Sequence, residues 1–457
     1  MSVKHNFQAA ALREALRYIK RSPEQNIARL LNLLRPFARD PKHREIMHQA
    51  EEVWADPQNN WRRLTERALH QLAPRVAEKF VLNFFLNACL VGVPIGYAVA
   101  EEHQCSVPWA ILMDPTTNCN LSCEGCWAGE YAPGAHLSFE ELDSIIQQGK
   151  ELGVYFYLYS GGEPLLRADD LLNLALKHSD AMFCAFTNAT LVTPELAERL
   201  AEAGNIALAV SVEGFAEAND FRRGNGIYDR IVYAMDLLRE AGVIFGFSTC
   251  YHSQNTAEVA SEEFIDAMID KGCLFGWYFT YMPLGKLARP ELLVTPEQRQ
   301  LMYERVREFR TAKDIFVIDF WNDGEYCQGC IAGGRRYLHV NAHGDVEPCA
   351  FIHYADSNIR EKTLLGALKS PLFLQYRQHQ PFNENHLRPC PLLDNPDILV
   401  AMVRESEAYS TQRADNEQVE TVAEKCRKAA ERWAPVADKL WQERDRERAE
   451  SNAEQVI

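Results

Sequence analysis

Between about residues 107 and 320 short apolar runs alternate with amphipathic stretches. The runs Trp109–Met113, Val154–Tyr159, Ala181–Phe186, Ile206–Val212, Ile244–Thr249 and Leu274–Tyr281 are bounded by turn-forming or charged residues and predict strands buried on both faces. Between them Phe139–Leu152, Leu171–His178, Glu195–Ala203, Tyr228–Ala241 and Glu262–Lys271 repeat apolar residues at helical spacing. This β/α alternation predicts an α/β fold with a parallel sheet and helical crossovers. The expected architecture is a partial (β/α)6 TIM-like barrel, whose functional loops leave the C-terminal ends of the strands.

The flanks have a different rhythm. Residues 1–78 read as helices, with apolar spacing in Ala11–Tyr18 and Ile27–Phe37 and prolines at 23, 36, 41 and 57 dividing them. Residues 80–100 (FVLNFFLNACLVGVPIGYAVA) are the most apolar stretch and long enough to span a bilayer. Asn83, Asn87, Gly92, Pro94 and Gly96 interrupt it and favour a buried helix and turn, with an interfacial helix or a true span as the other readings. Residues 321–396 are richer in Gly, Pro and Cys and read as a small loop-rich extension. Polar helix follows, and its charged run Gln442–Glu454 reads as a solvated end. The expected division is therefore 1–106 helical, 107–320 barrel, 321–396 cysteine-rich module and 397–457 helical tail.

At 457 residues, 47% hydrophobic and 25% charged, the chain is globular in composition, not disordered or collagen-like. Its net charge of −16 disfavours nucleic acid and anionic membrane surfaces as partners unless basic residues are segregated. No secretory-type apolar segment opens the sequence, so a reducing cytoplasmic location is expected, with peripheral membrane contact left open by residues 80–100. In such a compartment thirteen cysteines point to metal binding or chemistry rather than to disulfides.

Three of them, Cys119, Cys123 and Cys126, lie in a C-x3-C-x2-C loop directly after the first predicted strand. Thiolates hold zinc or iron–sulfur clusters, and a structural zinc ordinarily takes four protein ligands. Three cysteines on a four-iron cluster leave one iron open. After the second strand comes Ser160-Gly161-Gly162-Glu163-Pro164, where two glycines let a backbone approach a ligand closely. This pair of motifs, in this order, resembles the radical S-adenosylmethionine (SAM) superfamily. The resemblance implies a SAM-binding [4Fe–4S] cluster on Cys119, Cys123 and Cys126, with reductive cleavage of SAM to a 5′-deoxyadenosyl radical. It implies a SAM-binding role for Gly161, Gly162, Glu163 and Pro164, with the carboxylate and nearby carbonyls meeting the SAM ammonium group. Later strand ends add Asn188, Ser211, Glu213, Thr249 and Met282, and Arg222 or Arg223 as a clamp on the SAM carboxylate. In the family the residue before the third cysteine is often aromatic; here it is Gly125.

Cys327-Gln-Gly-Cys330, then Gly344-Asp-Val-Glu-Pro-Cys349 and Cys390-Pro391, resemble the twitch form of the SPASM module found in radical SAM enzymes. This implies one auxiliary [4Fe–4S] cluster on Cys327, Cys330, Cys349 and Cys390, against a closed four-cysteine zinc site. Cys89, Cys184, Cys273 and Cys426 read as buried free thiols. Around the module, Asp319, Asp323, Glu325, Arg335 and Arg336 are expected near the barrel mouth, and His339, His343 and His353 fit a period-two strand without ligation. No general acid or base is identifiable. A flavodoxin- or ferredoxin-type electron donor is the implied partner. For the substrate, residues 80–100 and the strand aromatics Phe156, Phe183, Phe186, Phe245, Phe247, Trp277 and Phe279 lean towards an alkyl or lipid molecule. A peptide-modifying enzyme is the alternative, and a non-catalytic iron–sulfur carrier or sensor is the remote one.

Overall fold

A computed structural model describes residues 3–35, 41–131, 134–285, 288–414 and 416–454; the predicted features at Pro36 and Phe37 lie outside them. Helices α1 (Val3–Arg21), α2 (Pro23–Leu34), α3 (Pro41–Ala55) and α4 (Asn60–Gln71) lead into one long helical run, α5 (Pro74–His103). Pro23 and Pro41 open α2 and α3, where a missing N–H costs nothing.

The sheet has nine strands in the order β7-β6-β5-β4-β3-β2-β1-β8-β9. The six predicted strands are β1 (Ala110–Met113), β2 (Phe156–Tyr159), β3 (Met182–Thr187), β4 (Ile206–Ser211), β5 (Phe245–Tyr251) and β6 (Phe275–Thr280). A seventh, β7 (Phe316–Asp319), extends one edge. At the other edge β8 (Tyr337–Val340) pairs parallel to β1, and β9 (Val346–Glu347) pairs antiparallel to β8. The module expected as a loop-rich extension therefore continues the sheet of the barrel. The crossover helices are α6 (Phe139–Glu151), α7 (Ala168–Lys177), α8 (Pro194–Ala203), α9 (Ala216–Arg223), α10 (Ile227–Ala241), α11 (Glu262–Asp270) and α12 (Pro296–Ala312). Ser138 shows why they start where they do: its side chain accepts from the Glu141 N–H, and Glu141 accepts in return from the Ser138 N–H.

Strand alternation separates two cores. Ile111, Met113, Tyr157, Tyr159, Phe183, Leu208, Val210, Phe245 and Phe247 pack outward under the helices. Ala110, Leu112, Phe156, Leu158, Met182, Cys184, Ala207 and Ala209 face inward, against Val76, Ala77 and Ala88 of α5. Three of the seven strand aromatics, Phe183, Phe245 and Phe247, are thus ordinary outer core. Phe156 meets Phe84 of α5 edge-on, so it belongs to the floor of the barrel.

That floor explains the polar residues in the apolar segment. Asn83 donates to the carbonyls of Ser179 and Ala181, and Asn87 to that of Asp180, satisfying backbone acceptors ahead of β3. Residues Val81–Gly92 form wide i→i+5 turns, after which the chain passes through Pro94 without breaking. The predicted turn is absent because Pro94 sits at the start of the following α-helical stretch, where its lacking N–H is tolerated. α5 seats on a glycine contact: a Cβ on Gly153, at φ +89°, would lie 2.5 Å from the Gly92 carbonyl oxygen.

The tail is helix α13 (Val419–Glu454), which packs through Trp433, Ala437 and Leu440 ahead of the charged run Gln442–Glu454. Trp433 donates to the Leu387 carbonyl and lies against Arg299, which is ion-paired with buried Asp394. Gly153→Ala should destabilise the protein by at least about 2 kcal/mol, summing the left-handed backbone cost and overpacking. Thermal denaturation reads this, and an unchanged melting temperature would contradict the floor contact.

Candidate active site

The loop after β1 is built onto the end of β2. Gly162 N–H donates to the Thr116 carbonyl (2.9 Å) and Glu163 N–H to that of Asn118 (2.8 Å). A Cβ on Gly162 would stand 2.0 Å from the Asn118 carbonyl oxygen, and one on Gly161 2.5 Å from that of Thr116. The two glycines thus permit the close approach that places Cys119, Cys123 and Cys126 at the barrel mouth. Pro164 opens the following turn.

Glu163 does something other than the expected ammonium contact. It is buried, and its carboxylate accepts from the Leu165 N–H, the Thr187 hydroxyl and the Asn188 N–H. It ties the end of β2 to the end of β3, which leaves nearby carbonyls for a cationic ligand. Asn188 then reaches the cysteine loop, donating to Asn120 Oδ1 at 2.9 Å and lying 3.9 Å from Cys119 Sγ. Thr249 is also structural: its hydroxyl donates to the Val212 carbonyl.

Arg222 and Arg223, at the end of α9, both pair with fully buried Glu213, whose other oxygen accepts from the Cys250 N–H. Burial would raise the Glu213 carboxyl, but the two guanidinium groups outweigh it and hold it below its ordinary value. Two arginines against one carboxylate leave a net positive charge beside Cys123 and Cys126. Arg222 also donates to the Glu124 carbonyl, and the Glu124 N–H returns a bond to the Arg222 carbonyl, so α9 is locked to the cysteine loop. Ser211 is half-buried at the end of β4, and Met282 is buried beyond β6. Tyr281, at the end of β6, fills the space next to Gly125: a Cβ there would lie 2.7 Å from the tyrosine ring.

The cysteine loop fits an iron–sulfur cluster by its donor chemistry. Burial and neighbouring Cys123 push the Cys126 thiol up. A cationic iron centre removes that penalty, and the Leu121 N–H already faces Cys119 Sγ at 3.5 Å. Among the described residues no three His, Cys, Asp or Glu side chains close around a single ion, and a four-iron cube spaces its sulfur ligands more widely than one ion does.

Three of the four later cysteines meet. Cys330, Cys349 and Cys390 are electrostatically coupled, and each accepts a backbone N–H, from Ala332, Phe351 and Leu393. Burial pushes the Cys349 thiol up to about 12 and the Cys390 thiol up to about 11. Tyr337 donates its hydroxyl to Cys349 Sγ at 2.6 Å. Cys327 stands apart, near Asp323, Arg335 and Arg336.

The carboxylates expected at the mouth are otherwise engaged. Asp323 pairs with Arg310, and Glu325 with Arg307 and Arg444. Asp319 is buried beneath Tyr251, and burial pushes it up to about 6. Arg335 and Arg336 precede β8, at the opposite end of the barrel from the cysteine loop.

A network the sequence did not disclose lies behind that loop. His339 is buried between Asp114 (2.9 Å, not aligned for a hydrogen bond) and Glu347 (2.6 Å). Ser160 donates to Asp114, and Tyr131 to Glu347. Burial alone would strip the imidazolium of its proton, but the two carboxylates push His339 up to about 10. Trp127 meets His339, Phe351 and Tyr131 edge-on.

A parallel partial barrel with a three-cysteine loop at its mouth is an arrangement that could hold a metal centre at the open ends of the strands. Residues 113–265 match the radical SAM superfamily, and the chain is a radical SAM enzyme; such enzymes use a [4Fe–4S] cluster and SAM. It is 26% identical over 286 residues to an AdoMet-dependent heme synthase of Methanosarcina barkeri, covering 56% of this chain and 81% of that one. It is 28% identical over 318 residues to a PqqA peptide cyclase of Granulibacter bethesdensis, covering 64% and 81%. In fold it is similar to Streptococcus suis SuiB bound to S-adenosylmethionine, with TM-score 0.56 and 20% identity over 70% of this chain and 79% of that one.

His339→Gln should cost roughly 3–5 kcal/mol, because it leaves two buried carboxylates without their cation. The raised imidazolium stabilises the fold fully below its ordinary pKa of about 6.5, and this contribution is lost as pH rises through about 10. Melting temperatures measured across that window should fall in the wild type and much less in the variant. Parallel curves would contradict the ion-paired assignment.

Proposed function

We propose that this enzyme modifies a peptide by radical chemistry, with an auxiliary cluster behind the barrel. The observation that carries the reading is the match to the PqqA peptide cyclase, which covers far more of the chain than residues 113–265. The meeting of Cys330, Cys349 and Cys390 supports the auxiliary cluster; Cys327, which stands apart from them, is assigned as the fourth ligand on its C-x2-C spacing to Cys330 alone. The apolar-substrate expectation loses support because Phe183, Phe245 and Phe247 point away from the barrel interior. A haem precursor is the second reading, favoured by the Methanosarcina barkeri relative.

When bound, the cluster and SAM supply one-electron cleavage of a sulfonium bond to a 5′-deoxyadenosyl radical; a flavodoxin- or ferredoxin-type protein supplies the electron. The chain's own residues position and shield. Cys119, Cys123 and Cys126 hold the cluster. Gly161 and Gly162 admit the ligand to the backbone. The net charge left on Arg222 and Arg223 by Glu213 receives the SAM carboxylate. Tyr281 fills the space beside Gly125 where an aromatic residue is often found, and would cover the adenine of bound SAM. α5 and the inward aromatics keep water from the floor.

The test is 5′-deoxyadenosine formation by anaerobically reconstituted protein with SAM and reductant, supplemented with a peptide fraction, a coproporphyrin or a lipid extract. Stimulation by peptide supports the proposal, and stimulation by either of the others with none by peptide overturns it. Tyr281→Ala should raise the KM for SAM about tenfold, the loss expected for one base–aromatic stack, while Tyr281→Phe leaves it unchanged. Cys349→Ala should lower the iron content while SAM cleavage persists; unchanged iron would remove the auxiliary cluster.

A further inference from the structure

α1 packs on Leu82, Leu86 and Val91 of α5, and beyond that contact a strip of α5 turned away from the barrel has no partner among the described residues. From residue 80 to residue 100 the sequence contains no charged side chain. Its inward face carries both asparagines and packs on the barrel floor. Its outward face carries Phe85 (50% exposed), Leu90 (68%), Ile95 (36%) and Tyr97 (61%), with Pro94 and Ala98 also exposed. α5 is long and apolar enough to cross a membrane, but one third of its most apolar window is buried in the protein, which rules out a free-standing span. An apolar stripe in solvent along a helix fixed flat to the protein body is the geometry of an interfacial helix, buried on one side by protein.

The far end of the stripe opens into a cavity of about 670 Å³ lined by Val93, Tyr97, Gln104, Arg335, Arg336 and Arg377, among others. None of these three arginines is ion-paired with a carboxylate among the described residues. Arg335 is spent on the carbonyls of Gln328 and Cys330, and Arg336 lies 3.5 Å from the Tyr97 hydroxyl. Glu101 lines the same cavity and Glu102 is exposed next to it, so the local excess is smaller than three charges. It stands out nonetheless in a chain of net charge −16, where an unpaired arginine group is a place for an external anion.

We propose that the outward face of α5, with the Arg335–Arg336–Arg377 cavity at its end, docks the enzyme on an anionic lipid bilayer, the apolar stripe entering the interface and a lipid phosphate entering the cavity. Charge complementarity selects this occupant. A second copy of the chain would bring another −16 to the contact, and a zwitterionic surface would leave the arginines without counter-charge. The proposal concerns where the enzyme sits, and it holds for a peptide or a haem-precursor substrate alike. The floor-side docking leaves the cysteine loop, at the opposite ends of the strands, facing away from the membrane.

Flotation of the full, reconstituted chain with phosphatidylglycerol/phosphatidylcholine vesicles and with pure phosphatidylcholine vesicles tests it. The wild type should partition onto the phosphatidylglycerol vesicles, more weakly as salt rises. Leu90→Glu should weaken partitioning about tenfold or more. Arg336→Gln with Arg377→Gln should weaken it about fivefold per arginine and remove the preference for phosphatidylglycerol. All three positions are exposed and away from the cysteine loop, so SAM cleavage in solution should remain at the wild-type rate. Absence of partitioning, or equal partitioning on both vesicles, would overturn the proposal. So would light scattering that shows a lipid-free dimer dissolved by Leu90→Glu, or glycerol phosphate stabilising the protein through these arginines without any vesicle binding.

Discussion

The close passage of the Thr116–Asn118 backbone over Gly161 and Gly162 is the constraint on which the rest of the site depends. No side chain fits in that gap, and two backbone hydrogen bonds hold the strands' ends to the loop. Once the loop is seated, its three thiols have a direction, and every neighbouring element is organised to keep it there. Glu163 pulls β3 against β2, Asn188 reaches back to the loop, and α9 exchanges backbone and side-chain bonds with Glu124. Glycine at position 125 belongs to the same design, because its missing side chain makes room for Tyr281 from the sixth strand.

Charge is buried around this loop in ratios that leave a residue of usable potential. Two arginines share Glu213 and leave a positive excess at the mouth; two carboxylates share His339 and leave a negative one behind it. Unpaired, any of these groups would cost several kcal/mol to bury, on the order of a sizeable part of a domain's stability. Paired, they make the walls of the site stiff and polarised. The Trp127 ring, next to Cys126, rests on His339, so the cysteine loop and the sheet extension from β8 share one packed unit.

The barrel was legible because its strands are buried on both faces and separated by capped amphipathic helices, which print two periods on the chain. The cysteine loop and Gly161-Gly162 were legible because close approach and metal ligation demand particular residue types. The partners of Glu163 and the position of Arg335 and Arg336 were not legible: a glutamate or an arginine in a motif does not say which donors or which end of a strand it meets. The period-two strand read around His339 is present as β8, but its pairing with β1 was not legible, because alternation marks a strand without saying which neighbour it joins. The floor helix misled in the opposite direction: Pro94 and Gly96 look like a turn, yet the wide turns before Pro94 let the helix continue, and Gly92 and Gly153 need their missing side chains for contact. His339 drew attention as one of three histidines in a row of alternating residues, and its two carboxylate partners come from distant parts of the chain.

The central claim is that the glycine passage sets the geometry of the SAM-binding cluster. It is tested most directly by placing a methyl group in the gap, with Gly162→Ala, and recording electron paramagnetic resonance of the reduced, reconstituted protein with and without SAM. The account predicts that the SAM-induced change in the spectrum is lost while the signal of the second, auxiliary cluster remains. A Gly162→Ala protein whose cluster responds to SAM as the wild type does would contradict it.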